Sequence, residues 1–164
     1  MLRILKSRWS ELVMRRHRRA VEKALALNRR GEIRSDGLRL VKMHNRLEIE
    51  WRARNVHPWD RDLPPKQRLP MFIEQSLADT EAAVSRLFDT FPQVDVIELR
   101  VLEPASETAI MEGTVYRSAI NKDRRLLSVK MRVLELGINY RLVGSHFQSL
   151  NSSYDQDALS IARG

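Results

Sequence analysis

Hydrophobic residues in the first thirty positions of the chain recur with the period of an α-helix. At 100° per residue, the apolar side chains of residues 2–30 fall on one side of a single helix and most of the arginines fall on the other. Gly31 can adopt the left-handed conformation that ends a helix, and Arg29 and Arg30 complement the negative end of the helix dipole. The pattern therefore predicts one long amphipathic helix over residues 2–30.

Two later pairs of segments alternate with a period of two, which indicates half-buried strands. Hydrophobic and charged side chains alternate over residues 47–53, and residues 38–43 are expected to pair with them as a hairpin. Residues 97–101 and 109–116 alternate in the same way on either side of a short turn. They predict a second hairpin.

Helical periods return between and after the two hairpins. Residues 71–90 carry hydrophobic side chains at four-three spacing, with Pro70 in the expected first turn and Pro92 just beyond the end. A shorter helix is expected from about residue 121 to 136, because its apolar positions also share one face. Residues 138–142 are typical of a last short strand.

Together the elements predict an α+β fold in the order α-ββ-α-ββ-α-β, with a mostly antiparallel or mixed sheet and helices packed on one face. We expect a basic arm at residues 1–30, an α+β domain at 31–143 and a polar, loose tail at 144–164. In its order of elements, with Gly113-Thr114-Val115 on the second strand, the stretch 71–143 resembles small envelope-associated BON domains and related ring-building modules of secretion systems. A shared order is a fold-level analogy, and we carry no function over from it.

The net charge of +8 resides entirely in the predicted N-terminal helix. Residues 1–30 contain ten Lys or Arg and two Glu, whereas residues 31–164 contain nineteen basic and nineteen acidic residues. Charge that is segregated in this way supports binding and steering rather than folding. A basic arm on a neutral body therefore indicates an anionic partner.

The candidate binding residues are the arginines opposite the apolar stripe: Arg8, Arg15, Arg18, Arg19 and Arg29. Arginines on one face can bridge successive phosphates, so the leading hypothesis is binding to the phosphate backbone of nucleic acid. The same helix in the reverse orientation would suit an adaptor at an anionic membrane surface, with its apolar stripe in the interface. In a third interpretation the stripe packs on the sheet, on a protein partner or on a second copy of the chain, and the arginines are solvated.

A second candidate surface is the loop that contains His57, Trp59, Asp60, Arg61 and Asp62. The histidine and the two aspartates could meet a divalent metal or form a general base, which gives the weakest hypothesis, a metal-dependent enzyme. Trp59 and Arg61 could stack on a base or a sugar. The alternative favoured by the sequence is structural: Trp59 plugs the loop into the core and the charged residues stabilise the turn.

The remaining features narrow the function classes. The chain contains no cysteine, which excludes disulfides and thiolate chemistry, and it matches no catalytic signature and no glycine-rich phosphate loop. No apolar run reaches the roughly 18 residues that a membrane-spanning helix needs, and the N-terminus does not read as a secretory signal. We expect a cytoplasmic binding or adaptor protein, not an enzyme, with no cofactor and no metal.

Overall fold

The structure is a computed structural model of the 164-residue chain, and it describes residues 15–21, 23, 39–43, 45–120 and 124–150. Helices and a mixed sheet are both present in these residues, which confirms the α+β class predicted from the sequence.

A five-stranded sheet lies at the centre of the fold, in the order β1-β2-β3-β4-β5. Its strands are β1 (Arg39–Met43), β2 (Arg46–Arg52), β3 (Val96–Leu102), β4 (Ala109–Tyr116) and β5 (Ile138–Asn139). β2 and β3 are parallel, and the other neighbouring pairs are antiparallel. A parallel pair needs a long crossover connection, and a helix supplies it here. Both hairpins predicted from the sequence are confirmed.

The crossover helix, α1 (Pro65–Thr90), begins five residues before the predicted start at Pro70. Pro64 is the N-cap and Pro65 occupies the first turn, where the missing N–H has no helical partner in any case. Pro70 lies inside the helix and leaves the carbonyl of Lys66 without its usual donor. Lys66 is exposed, so water can replace that donor.

Two shorter helices follow the second hairpin: α2 (Arg117–Ile120) and α3 (Val129–Glu135). The prediction of one helix over residues 121–136 was wrong about its start. The hydroxyl of Ser128 accepts a hydrogen bond from the N–H of Met131 at 3.4 Å, so Ser128 is the N-cap of α3.

One face of the sheet carries the hydrophobic core. The strand register aligns Leu47 with Ile97 and Ile97 with Val115, and all three side chains are buried. The apolar stripe of α1 packs on this face: the Thr80 hydroxyl lies 3.8 Å from Sδ of Met111. The alternation read from the sequence therefore assigned the strand faces correctly.

The chain continues past β5 into a small hairpin of β6 (Leu142–Val143) and β7 (His146–Phe147). The ring of Phe147 meets that of Phe72 on α1 edge-to-face, with centroids 6.0 Å apart. Within the stretch 144–164 that the sequence predicts as a tail, Phe147 is thus partly buried against the core, and residues 151–164 lie outside the described residues.

Candidate functional site

The described part of the basic arm, residues 15–21, is α-helical and is docked on the domain by one face. Val21 is completely buried in the core cluster, and Ala20 is partly buried against it. The ring of His17 meets that of Phe91 edge-to-face with centroids 6.0 Å apart. Positions 17, 20 and 21 share one helical face. The apolar side of this segment therefore packs on the domain near the C-terminal end of α1, where Phe91 is the C-cap.

The cationic residues of the same segment are exposed: Arg15, Arg16, Arg18, Arg19 and Lys23. Arginines three and four positions apart on a helix have Cβ atoms about 5–6 Å apart and repel one another, which an anionic ligand would relieve. Arg18 also interacts with another group of the protein. Arg8 and Arg29, the other two candidate arginines, lie outside the described residues.

The arginines of the domain itself are largely engaged in structure. Arg132 on α3 forms a bidentate ion pair with Glu81 on α1, with Nε–Oε1 at 2.8 Å and Nη2–Oε2 at 2.9 Å. The hydrogen bond to Glu81 raises the pKa of Arg132 above its ordinary value. Arg54 forms a similar ion pair with Asp79, with Nε–Oδ2 at 2.5 Å. These guanidiniums connect elements, whereas those of Arg15 and Arg19 face outward.

The face of the sheet opposite the core is open and rich in acids. Its register places Glu48 beside Glu98, and Arg100 between Glu50 and Glu112. Arg100 reaches Glu50 with Nη1–Oε2 at 3.4 Å. A second pair on the same face joins Nη2 of Arg46 to Oε1 of Glu98 at 2.8 Å. On β2 to β4 this face carries four glutamates and three arginines, Arg46, Arg52 and Arg100, so it offers a polyanion no net attraction.

The loop predicted as a second surface forms a single 3₁₀ turn over Pro58–Asp60. Trp59 is 86% exposed, so the expectation that it plugs the loop into the core was wrong. Val56, three positions earlier, is the buried residue that anchors this region. The N–H of Trp59 donates to Nδ1 of His57 at 3.3 Å, which makes His57 the N-cap of the turn.

The other loop candidates, Asp60, Arg61 and Asp62, lie at the surface, with Asp60 half-buried. Nη1 of Arg68 donates to the carbonyl of Arg61 at 2.8 Å and joins the loop to the first turn of α1. Within the described residues no three His, Cys, Asp or Glu side chains are grouped so as to hold a metal ion. His57, Asp60 and Asp62 are therefore neighbours in sequence that the structure does not assemble into a metal site.

The sequence reasoning missed two features of these surfaces. Glu98 and Glu112 alternate with buried positions of β3 and β4, but only the pairing of β2 with β3 adds Glu48 and Glu50 to the same surface. The sequence reasoning also assigned no role to Arg117, which binds the carbonyls at the end of α1. The strand alternation could have indicated the acidic face, whereas nothing local marks Arg117.

Among the helices of the described residues, none combines the length and apolar character needed to cross a membrane. No family model matches the chain, and comparisons with curated proteins and with solved structures likewise find no match.

Proposed function

We propose that this protein binds the phosphate backbone of nucleic acid through the outward arginines of its N-terminal helical segment, residues 15–21. The observation that carries the proposal is the division of that segment into two faces. Val21 fixes the segment to the core, while Arg15 and Arg19 extend into solvent. Arg8 and Arg29 would extend the same row if the predicted helix continues on both sides.

The docked face favours this proposal over the membrane adaptor. An interfacial helix needs its apolar side free to enter the lipid headgroup region. In residues 15–21 that side is covered by the domain, because Val21 is buried and His17 packs on Phe91. The side chains of Arg15 and Arg19 are exposed, and guanidinium groups bind phosphates with bidentate geometry.

The distribution of charge over the domain also supports the proposal. The open sheet face carries four glutamates and three arginines and offers no net attraction, so a polyanion would be attracted instead to the exposed arginines of the helical segment at the end of α1. Contacts from arginine to phosphate carry no sequence information, so the binding is expected to be insensitive to base sequence and sensitive to salt.

Charge reversal with a matched control tests the proposal. Arg15→Glu with Arg19→Glu should weaken binding to a random-sequence duplex by roughly tenfold or more at low salt, because each lost phosphate contact removes counterion release. The control is Lys130→Glu with Arg141→Glu, which makes the same change in net charge at two other exposed positions. Fluorescence anisotropy of a labelled duplex measures the affinity of both double variants.

Three results would contradict the proposal. The intact protein could fail to bind the duplex even at low salt. Alternatively, the two double variants could lose affinity equally, which would make binding a property of net charge and not of the helical segment. The third result is retained binding by an Arg15→Glu, Arg19→Glu protein whose circular dichroism shows it folded, because these two arginines would then not carry the contact.

A further inference from the structure

We infer that Trp59 is a stacking platform for a base of single-stranded nucleic acid, so that the protein contacts one strand at two separated points. This inference rests on the proposed function and adds the class of ligand. It starts from an unusual feature: a tryptophan that is 86% exposed in a loop whose backbone is well fixed.

The loop holds Trp59 in place before any ligand arrives. The N–H of Trp59 donates to Nδ1 of His57, and the N–H of Asp60 donates to the carbonyl of His57 at 2.8 Å. The His57 and Trp59 rings meet edge-to-face, with centroids 5.8 Å apart and an angle of 77°. These hydrogen bonds fix the backbone at Trp59, so the loop loses little backbone entropy on binding, which is an advantage of a preorganised anchor.

The loop is also tied to α1. The bond from Arg68 to the carbonyl of Arg61 spans seven positions and brings the loop against the first turn of the helix. Pro64 and Pro65 then restrict the backbone between the loop and the helix. Trp59 is thus presented from a rigid element, and its exposure is built into the local structure.

The surroundings of Trp59 favour a base over an apolar partner. Asp60, Arg61 and Asp62 follow it directly, so the indole stands in a charged loop and not in an apolar patch. A membrane or a protein hot spot would need apolar neighbours around the ring. The two aspartates disfavour a phosphate at this position, whereas a base offers a π-face that stacks on indole without needing charge.

Bases are accessible for stacking in a single strand and are hidden inside a duplex. The structure therefore separates two kinds of contact. The arginines of residues 15–21 would bind phosphates of either ligand, and Trp59 would add affinity for the single strand alone.

The two contact points lie near opposite ends of α1. Trp59 precedes its N-terminus, and His17 packs on Phe91 at its C-terminus. A helix of 26 residues is about 39 Å long at 1.5 Å per residue. At the duplex spacing of about 3.4 Å per nucleotide a strand would need about 12 nucleotides to cover that distance, and a more extended oligothymidine needs fewer. Affinity should therefore rise steeply between short oligothymidines and those of about 12 nucleotides, because the second contact becomes intramolecular.

The test compares Trp59→Ala with the intact protein on a 20-nucleotide oligothymidine and on a 20-base-pair duplex. We expect roughly tenfold weaker binding to the single strand, the effect typical of losing one base–aromatic stack, and unchanged binding to the duplex. Tyr116→Ala is the control, because it removes another exposed aromatic ring, one on β4. Since Trp59 is exposed, its replacement should leave the melting temperature nearly unchanged.

The outcomes separate this inference from the proposed function. If Trp59→Ala binds the single strand as well as the intact protein does, or weakens both ligands equally, the stacking inference is overturned. If Arg15→Glu with Arg19→Glu still weakens both ligands in that case, the proposed function stands without it. If the intact protein binds neither ligand, both fail.

Discussion

Gly113 on β4 and Gly137 after α3 lie where two backbone segments approach too closely for a side chain. A Cβ on Gly113 would overlap the carbonyl oxygen of Gly137 and would lie 2.7 Å from Cα of Ile138. Gly137 has φ at +89°, in the left-handed region, as expected for the residue that ends a helix. The close approach at Gly113 follows only from the pairing of β4 with β5, which no local sequence pattern reveals.

Gly113→Ala should therefore destabilise the domain by about 2 kcal/mol, which is typical of forcing a methyl group into a packed site. Gly144→Ala is the matched control. Gly144 also has a positive φ, +59°, but an added Cβ would meet nothing within 4 Å. Its cost should be limited to about 1 kcal/mol of backbone strain. Urea unfolding of the two variants checks the difference, and equal losses would refute the steric explanation.

Arg117 stabilises the end of α1 with its planar guanidinium. Its Nη2 donates to the carbonyls of Phe91 at 2.8 Å and Val94 at 2.6 Å, and its Cζ lies 4.8 Å from the centre of the Phe88 ring. Arg117→Lys keeps the charge but loses the fork, so we expect a loss of about 2 kcal/mol in the free energy of unfolding. Arg141→Lys, at an exposed position, should cost almost nothing in the same denaturant titration. If Arg117→Lys left the free energy of unfolding unchanged, a positive charge alone would be enough to stabilise the end of α1.

At the scale of elements, the hydrophobic period located the strands and helices well, but not where each helix begins. The four-three spacing of residues 71–90 predicts one apolar face, and Ile73, Leu77 and Val84 on that face are all buried. The start of the helix was misplaced because Pro70 reads as a first-turn proline, a role that Pro65 fills instead. Two prolines can satisfy the same local rule, and sequence alone does not rank them.

Pro70→Ala should stabilise the protein, because it restores an N–H that can bond to the carbonyl of Lys66 inside α1. The expected gain is on the order of 1 kcal/mol, since an interior proline costs more than that relative to alanine and chain entropy offsets part of it. Pro65→Ala removes a proline from a favourable first-turn position and should bring no gain. Thermal unfolding distinguishes them, and a lower melting temperature for Pro70→Ala would contradict this account of the helix start.

Tyr140 connects α3 to the β6–β7 hairpin and gives the fold a sensitivity to high pH. Its hydroxyl donates to the carbonyl of Lys130 at 3.2 Å, and its ring meets that of Phe147. Burial raises the pKa of Tyr140 above its ordinary value of 10.0, because the phenolate is less well solvated in the folded state. The folded protein thus holds this proton more tightly than the unfolded chain does.

The stabilisation from neutral Tyr140 is complete below the unfolded pKa and is lost as the pH rises through the higher folded value. The advantage of the intact protein over Tyr140→Phe in free energy of unfolding should therefore shrink above about pH 10. Tyr116→Phe, at an exposed tyrosine, serves as the control. An advantage that stays constant from pH 8 to pH 11 would contradict the role of burial.

At the scale of the whole molecule, charge segregation was visible in the sequence, and its meaning depended on the fold. Composition placed the net charge in residues 1–30, but it could not say which side of the helix the domain would cover. Because Val21 is buried, the domain covers the side of residues 15–21 that carries Val21. Trp59 is an example of a residue whose type misleads. Large aromatic side chains are buried on average, but the short turn after Val56 leaves Trp59 exposed.

The salt dependence of duplex binding tests the central claim most directly, because it counts the phosphates that the helical segment neutralises. The intact protein should give a plot of log K against log salt with a slope near −4.5 if about five arginines each contact a phosphate. Neutralising Arg15 and Arg19 to Gln should make that slope shallower by about 1.8, at about 0.9 per lost contact. A slope that the double variant leaves unchanged would show that these two guanidiniums do not touch the phosphates, and the account would fail.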